Sequence, residues 1–173
     1  MRNSISFASL LCLIGVSASA AVITIEPVAV SLSTGRDSVP GRPAPYVFRG
    51  LSTVEAPVIN AQGDVVFTAF SASQFSSNTG GAYGLYLHQQ GQPLRVLVDS
   101  ALDASGNPAF PVPGQPAGTF FLSSVFGPPL LNDAGDVVFR GRWHDPAASF
   151  TGEGFYAINT APGSPLVKIV GQY

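Results

Sequence analysis

The feature that most constrains this chain is a segment it contains twice. Pro57-Val58-Ile59-Asn60-Ala61-Gln62-Gly63-Asp64-Val65-Val66-Phe67 aligns with Pro129-Leu130-Leu131-Asn132-Asp133-Ala134-Gly135-Asp136-Val137-Val138-Phe139 at an offset of 72. Two further blocks follow in the same order. Gly84-Leu85-Tyr86 matches Gly154-Phe155-Tyr156 at an offset of 70, and Leu94-Arg95-Val96-Leu97-Val98 matches Leu166-Val167-Lys168-Ile169-Val170 at 72. Three blocks in one order, with a two-residue slip, indicate a duplication, so a fold that suits one copy must suit the other.

Each copy reads as strands. β-Branched and aromatic residues come in short runs broken by Gly, Pro, Asn and Ser, and the three-and-four spacing of an amphipathic helix is missing. The pattern places strands near Val22 to Leu32, Tyr46 to Leu51, Asp64 to Phe70, Ala82 to His88 and Leu94 to Asp99 in the first copy. In the second they fall near Thr119 to Val125, Asp136 to Trp143, Gly154 to Asn159 and Leu166 to Val170. Between them, Asp99 to Gly118 forms a long turn-rich connection, matched in the first copy by Thr34 to Pro43, so it reads as a loop of the repeat.

Asn-x-x-Gly has a mechanical reading as a hairpin turn. Asn60 and Asn132 would open the turn by side-chain bonds to backbone N–H groups, and Gly63 and Gly135 would take the left-handed position that closes it. On the outgoing strand Val65 and Phe67 share one face and Val66 the other, which makes the strand apolar on both sides. Such a strand belongs inside a stack of sheets. The expected fold is therefore all-β: two four-stranded antiparallel meander repeats resembling β-propeller blades, arranged as a partial or open propeller. Repeat one is drawn over 21–95 and repeat two over 96–173, ending where a third repeat would start.

Residues 1–20 read as a secretory signal peptide. Arg2 supplies the positive start, Ile5 to Val16 the apolar run, and Ala18-Ser19-Ala20 the small residues for cleavage. The expected location is outside the cytoplasm, secreted or periplasmic, and no second hydrophobic run is long enough to span a membrane. Cys12, the single cysteine, lies inside this segment, so cleavage would remove disulfides, thiol nucleophiles and thiolate metal sites together. Charged residues make up 10% of the chain and the formal net charge is −2, which supplies no basic surface for nucleic acid.

On the repeated Asn-x-x-Gly-x-Val-Val-Phe segments the chain resembles bacterial exported proteins built from tandem NxxGxxAF repeats, with Val66 and Val138 where that motif has alanine. The resemblance covers nearly the whole chain after the signal peptide. It implies a multi-blade propeller and, often, a terminal cell-surface anchor. It transfers no ligand and no catalytic residue, because the motif is structural. A closed propeller needs about four blades or more. Two repeats therefore suggest a piece of a longer array, a natural short form or one part of an oligomeric ring. An uncovered last strand would be an edge open to self-association.

Candidate chemistry is sparse. His144 and Asp145 are adjacent, but strand neighbours point to opposite faces, so a loop histidine is favoured over a catalytic base. Phe110, Phe120, Phe121, Phe126, Trp143 and Phe150 are the richest aromatic cluster, with core packing as the default reading, and Arg142, Trp143, His144 and Phe150 mark where a binding face is to be sought. Asp99, Asp103 and Asn107 around Gly106 could supply calcium ligands, yet their spacing does not match an EF-hand loop and the turn reading is preferred. No catalytic residue and no cofactor is implied. The sequence reading is an exported, non-enzymatic binding or structural module for an unidentified envelope or extracellular ligand. Its alternatives are a propeller-type enzyme with a loop-built site and an incomplete fragment of a longer multi-blade protein.

Overall fold

Asn60 opens its turn with its own side chain. Its Oδ1 accepts hydrogen bonds from the N–H groups of Gln62 (3.1 Å) and Asp64 (2.9 Å), while the Gly63 N–H donates to the Asn60 carbonyl (3.1 Å). Gly63 stands at φ +83°, a left-handed conformation that a side chain would strain. The second copy repeats this: Asn132 Oδ1 accepts from the Asp136 N–H (2.8 Å), Gly135 N–H donates to the Asn132 carbonyl (3.1 Å), and Gly135 has φ +82°.

These turns launch the longest strands of two antiparallel sheets. The structure, a computed structural model, describes residues 39–40, 42, 46–51, 56–73, 81–103 and 105–171. The first sheet holds β1 (Tyr46–Leu51), β2 (Val58–Ile59), β3 (Val65–Ser73), β4 (Ala82–His88) and β5 (Arg95–Asp99). The second holds β6 (Phe120–Phe126), β7 (Leu130–Leu131), β8 (Asp136–Asp145), β9 (Phe150–Asn159) and β10 (Val167–Gly171). Strand order is β1-β3-β4-β5 and β10-β9-β8-β6, with β2 and β7 pairing β3 and β8.

β1 and β2 lie end to end along one edge of β3, and β6 and β7 along one edge of β8, so each sheet has four lanes with an interrupted outer lane. The all-β antiparallel meander expected from the sequence is what the chain forms. The sequence reading did not resolve the two-residue strands β2 and β7, which are the incoming arms of the turns. The division between 95 and 96 falls at the head of β5, and that strand completes the first sheet; the sheets therefore separate after Asp99. The signal segment 1–20 and the strand expected at Val22 to Leu32 lie outside the described residues.

Alternation along β8 and β9 puts Val137, Phe139, Gly141 and Trp143 on one face with Tyr156, and Val138, Arg140 and Arg142 on the other with Phe155. The first set packs, with Phe121, onto Val66, Leu85, Leu87 and Val98 of the first sheet as one core. Three aromatic rings organise this face. Phe121 meets Tyr156 edge-on at 5.1 Å between centroids, Phe139 stacks on Tyr156 at 5.7 Å and 28°, and Phe121 meets Phe139 at 6.2 Å.

The first sheet carries the same triad. Phe48 meets Tyr86 edge-on at 4.8 Å, Phe67 stacks on Tyr86 at 5.7 Å and 28°, and Phe48 meets Phe67 at 6.4 Å. Val39 is buried in that triad's cluster and Val112 in the other's, each in a Val-Pro-Gly-x-Pro segment whose fourth residue donates its N–H to the valine carbonyl, at 3.1 and 3.2 Å. Both sheets also slip register at matched points of their last strand, at Leu97 and at Ile169.

The two turn glycines differ in surroundings, which gives a test. A Cβ on Gly63 would meet nothing within 4 Å, whereas on Gly135 it would lie 2.3 Å from Thr160 Oγ1. Gly63→Ala should cost about 1–2 kcal/mol from backbone strain alone. Gly135→Ala should cost more, because Thr160 must also move. Urea denaturation of the two variants checks the order.

Candidate functional site

Alternation along β8 divides the aromatic candidates. Trp143 points into the core at 2% exposure, and its indole tilts against Phe150 at 5.6 Å between centroids. A Cβ on Gly152, its cross-strand partner, would lie 2.4 Å from the indole, so the glycine makes room for the ring. Arg142 is exposed on the opposite face, with His144 half-buried beside it. His144 Nδ1 lies 3.2 Å from Thr151 Oγ1, and its ring meets Phe120 edge-on at 5.6 Å. The expected binding face of Arg142, Trp143, His144 and Phe150 is thus not assembled: Trp143 is core, for the physical reason that large aromatic surface is worth most when buried.

Asp145 is buried and turns away from His144. Its carboxylate accepts the N–H groups of Ala147 (2.9 Å) and Ala148 (3.3 Å), capping the β8–β9 loop in which Ser149 takes φ +51°.

The calcium candidates separate as well. Asp99 is buried, accepts the Ala101 N–H at 2.9 Å and faces Arg42 Nε at 3.8 Å; burial raises its pKa against the opposing pull of these two groups. Asp103 instead accepts the N–H groups of Ser105 and Asn107, each at 2.8 Å, and the Gly106 N–H donates to its carbonyl. With Gly106 at φ +83°, Asp103, Gly106 and Asn107 make the contacts of the Asn-x-x-Gly-Asp turn with the asparagine and aspartate exchanged. Among the described residues no cluster of three or more His, Cys, Asp or Glu side chains could hold a metal ion. The Asp-x-x-Gly-Asn spacing was the signal for a third turn of this kind.

Asn60, Gly63, Asn132 and Gly135 sit where the turn reading put them, and their neighbours are equally committed. Asp64 accepts from Asn60 Nδ2 (3.3 Å) and Gln89 Nε2 (3.1 Å), and Asp136 from Asn132 Nδ2 (3.0 Å) and Asn159 Nδ2 (2.8 Å). The two turns also touch: the Ala61 N–H donates to the Asp133 carboxylate at 2.9 Å.

Beside the first turn opens a groove of about 560 Å³ whose polar lining is Gln62, Asp64, Gln89, Gln90, Gln92 and Arg95. The Arg95 guanidinium donates to the Thr160 carbonyl of the second half. Carboxamides both donate and accept, so the four glutamines of this wall can hydrogen-bond in either direction. Sequence reasoning passed over it, although the run Gln89-Gln90-Gly91-Gln92 was its mark.

A family model described as "Family of unknown function (DUF7453)" matches residues 5–171, which takes in both repeats. The chain belongs to this family. No curated protein and no solved structure matches it. No helix among the described residues is long and apolar enough to cross a membrane.

Hydrogen bonds from Asn159 and then Asn132 hold Asp136 below its ordinary pKa of 3.8. A carboxylate with a depressed folded pKa adds stability that is present above the unfolded value and lost as pH falls through the folded one. Its contribution should therefore disappear below pH 3.8. NMR titration of Asn159→Ala should show the Asp136 pKa rising toward the ordinary value.

Proposed function

We propose that this protein is an exported, non-enzymatic β-repeat module that binds a polar ligand at or outside the cell envelope. The observation that carries the reading is that the repeated polar motif is consumed by structure. Asn60, Asp64, Asn132 and Asp136 each spend their side chains on the turn they build. That leaves ligand recognition to positions which differ between the copies, and the glutamine-lined groove is one such place.

Export is supported by Arg2, the apolar run from Ile5 to Val16 and the Ala18-Ser19-Ala20 site. The resemblance to tandem NxxGxxAF proteins favours the same compartment. The blade reading draws support from two sheets stacked face to face with their turns adjoining. An enzymatic role would need an acid, base or nucleophile converging on a cleft. His144 and Asp145, the nearest pair in sequence, engage Thr151 and the Ala147–Ala148 backbone instead.

Expression of the full chain in a bacterial host with fractionation tests the export half; the expected product starts at Ala21 and is found outside the cytoplasm. A product that keeps Met1 and stays inside contradicts it. For the binding half, the exported protein is screened on a glycan array and against envelope polysaccharide. Retention that weakens about tenfold or more in a Gln62→Ala, Gln92→Ala double variant is expected, since removing two hydrogen bonds of ordinary strength has that effect. Retention unchanged by these substitutions would move the site elsewhere.

A further inference from the structure

Equivalent positions of the two sheets differ in exposure, although Val138, the counterpart of Val66, is half-buried. Val66, Leu85 and Val98 of the first sheet are 0% exposed and Leu97 is 3%, because the second sheet covers them. Their counterparts are Val138, Phe155, Val170 and Ile169. Phe155 is 47% exposed, Ile169 55% and Val170 59%, with Leu130 beside them at 68%. The outer face of β8, β9 and β10 therefore carries an apolar patch whose equivalent is buried one layer earlier, bordered by the exposed charged residues Arg140, Arg142 and Glu153, and a groove of about 340 Å³ lined by Leu130, Val138, Arg140 and Phe155 runs across it.

We infer that this face takes a further sheet of the same repeat, presenting its Phe–Phe–Tyr triad, stacked as the second sheet stacks on the first. The existing interface states what the occupant must be. The first sheet's aliphatic face receives Phe121, Phe139 and Tyr156 together with Val112, so the second sheet's matching face calls for another such triad and valine loop. The turns extend the pattern: Ala61 N–H meets the Asp133 carboxylate, and the counterpart of that donor on the next layer is the Asp133 N–H.

A second copy of the chain cannot supply the triad. Its first, Phe48, Phe67 and Tyr86, is buried already, and its second lies under its own first sheet. Nor do the edges offer an easier contact, since β5 and β10 are bulged and the opposite outer lanes are interrupted, features that blunt strand addition. The occupant is thus a separate unit of the repeat, entering head to tail, as repeat arrays grow. The inference rests on packing alone, so its failure would leave the export and binding reading standing.

The test appends a second copy of residues 100–173 after Tyr173 in a Cys12→Ser background. A single reporter thiol, Val170→Cys, is labelled in the parent and in the extended chain. The stacked arrangement requires labelling about tenfold or more slower in the extended chain, as for a buried site that must open locally to react. Phe155→Glu, a change at an exposed position, should restore fast labelling in the extended chain without unfolding the parent. Equal rates in parent and extended chain overturn the inference. So does a parent whose thiol is already protected and whose mass in sedimentation equilibrium is that of a dimer, because the face would then be closed by its own copy.

Discussion

The halves of this protein are held in one core by the seating of three aromatic rings on an aliphatic sheet face. Phe121, Phe139 and Tyr156 supply the rings, and Val66, Leu85, Leu87 and Val98 the floor. Edge-on and offset ring contacts of this kind add about 0.5–1.5 kcal/mol per pair beyond the area they bury. Their geometry also fixes orientation. The stacked pair at 28° and 5.7 Å recurs in both sheets, so each unit presents the same ringed side and the same aliphatic side. A unit with two unlike faces stacks head to tail, and every layer leaves a face of one kind open.

Turn chemistry places those faces. The side chain of Asn60 or Asn132 replaces backbone contacts that a tight reversal cannot make, and the glycine three residues on absorbs the left-handed step. Because residue spacing from turn to strand is constant, Phe67 and Phe139 arrive on the same side of their sheets. The turn motif thus sets which face each strand gives to its neighbour, and a one-residue slip would send both phenylalanines to the wrong side. This accounts for the recurrence of these polar residues at one spacing.

Much of the fold was legible because it rests on local signals repeated in order. The strand at Ala82 to His88 matches its observed bounds, and the turn residues Asn60, Gly63, Asn132 and Gly135 behave as their chemistry requires. The two-residue arms β2 and β7 were not legible, since Val58-Ile59 and Leu130-Leu131 show no alternation to read. The Trp143 environment was hidden for a different reason. Whether a strand tryptophan faces core or solvent depends on what covers the sheet, and the space cleared by Gly152 is a cross-strand fact. The groove escaped notice likewise, because Gln62 and Gln92 meet only once β3 and the β4–β5 turn are side by side.

One measurement reaches the central claim directly: nuclear Overhauser contacts between methyl groups of the first half and aromatic rings of the second, in selectively labelled protein. Contacts from the methyls of Val66, Leu85, Leu87 and Val98 to the rings of Phe121, Phe139, Trp143 and Tyr156 should be abundant. The methyls of Val138 and Val170 should show few to any ring beyond their own sheet. If the first set were silent, or if the second half met the first through its Val138–Phe155 face, the head-to-tail stacking described for this protein would be wrong.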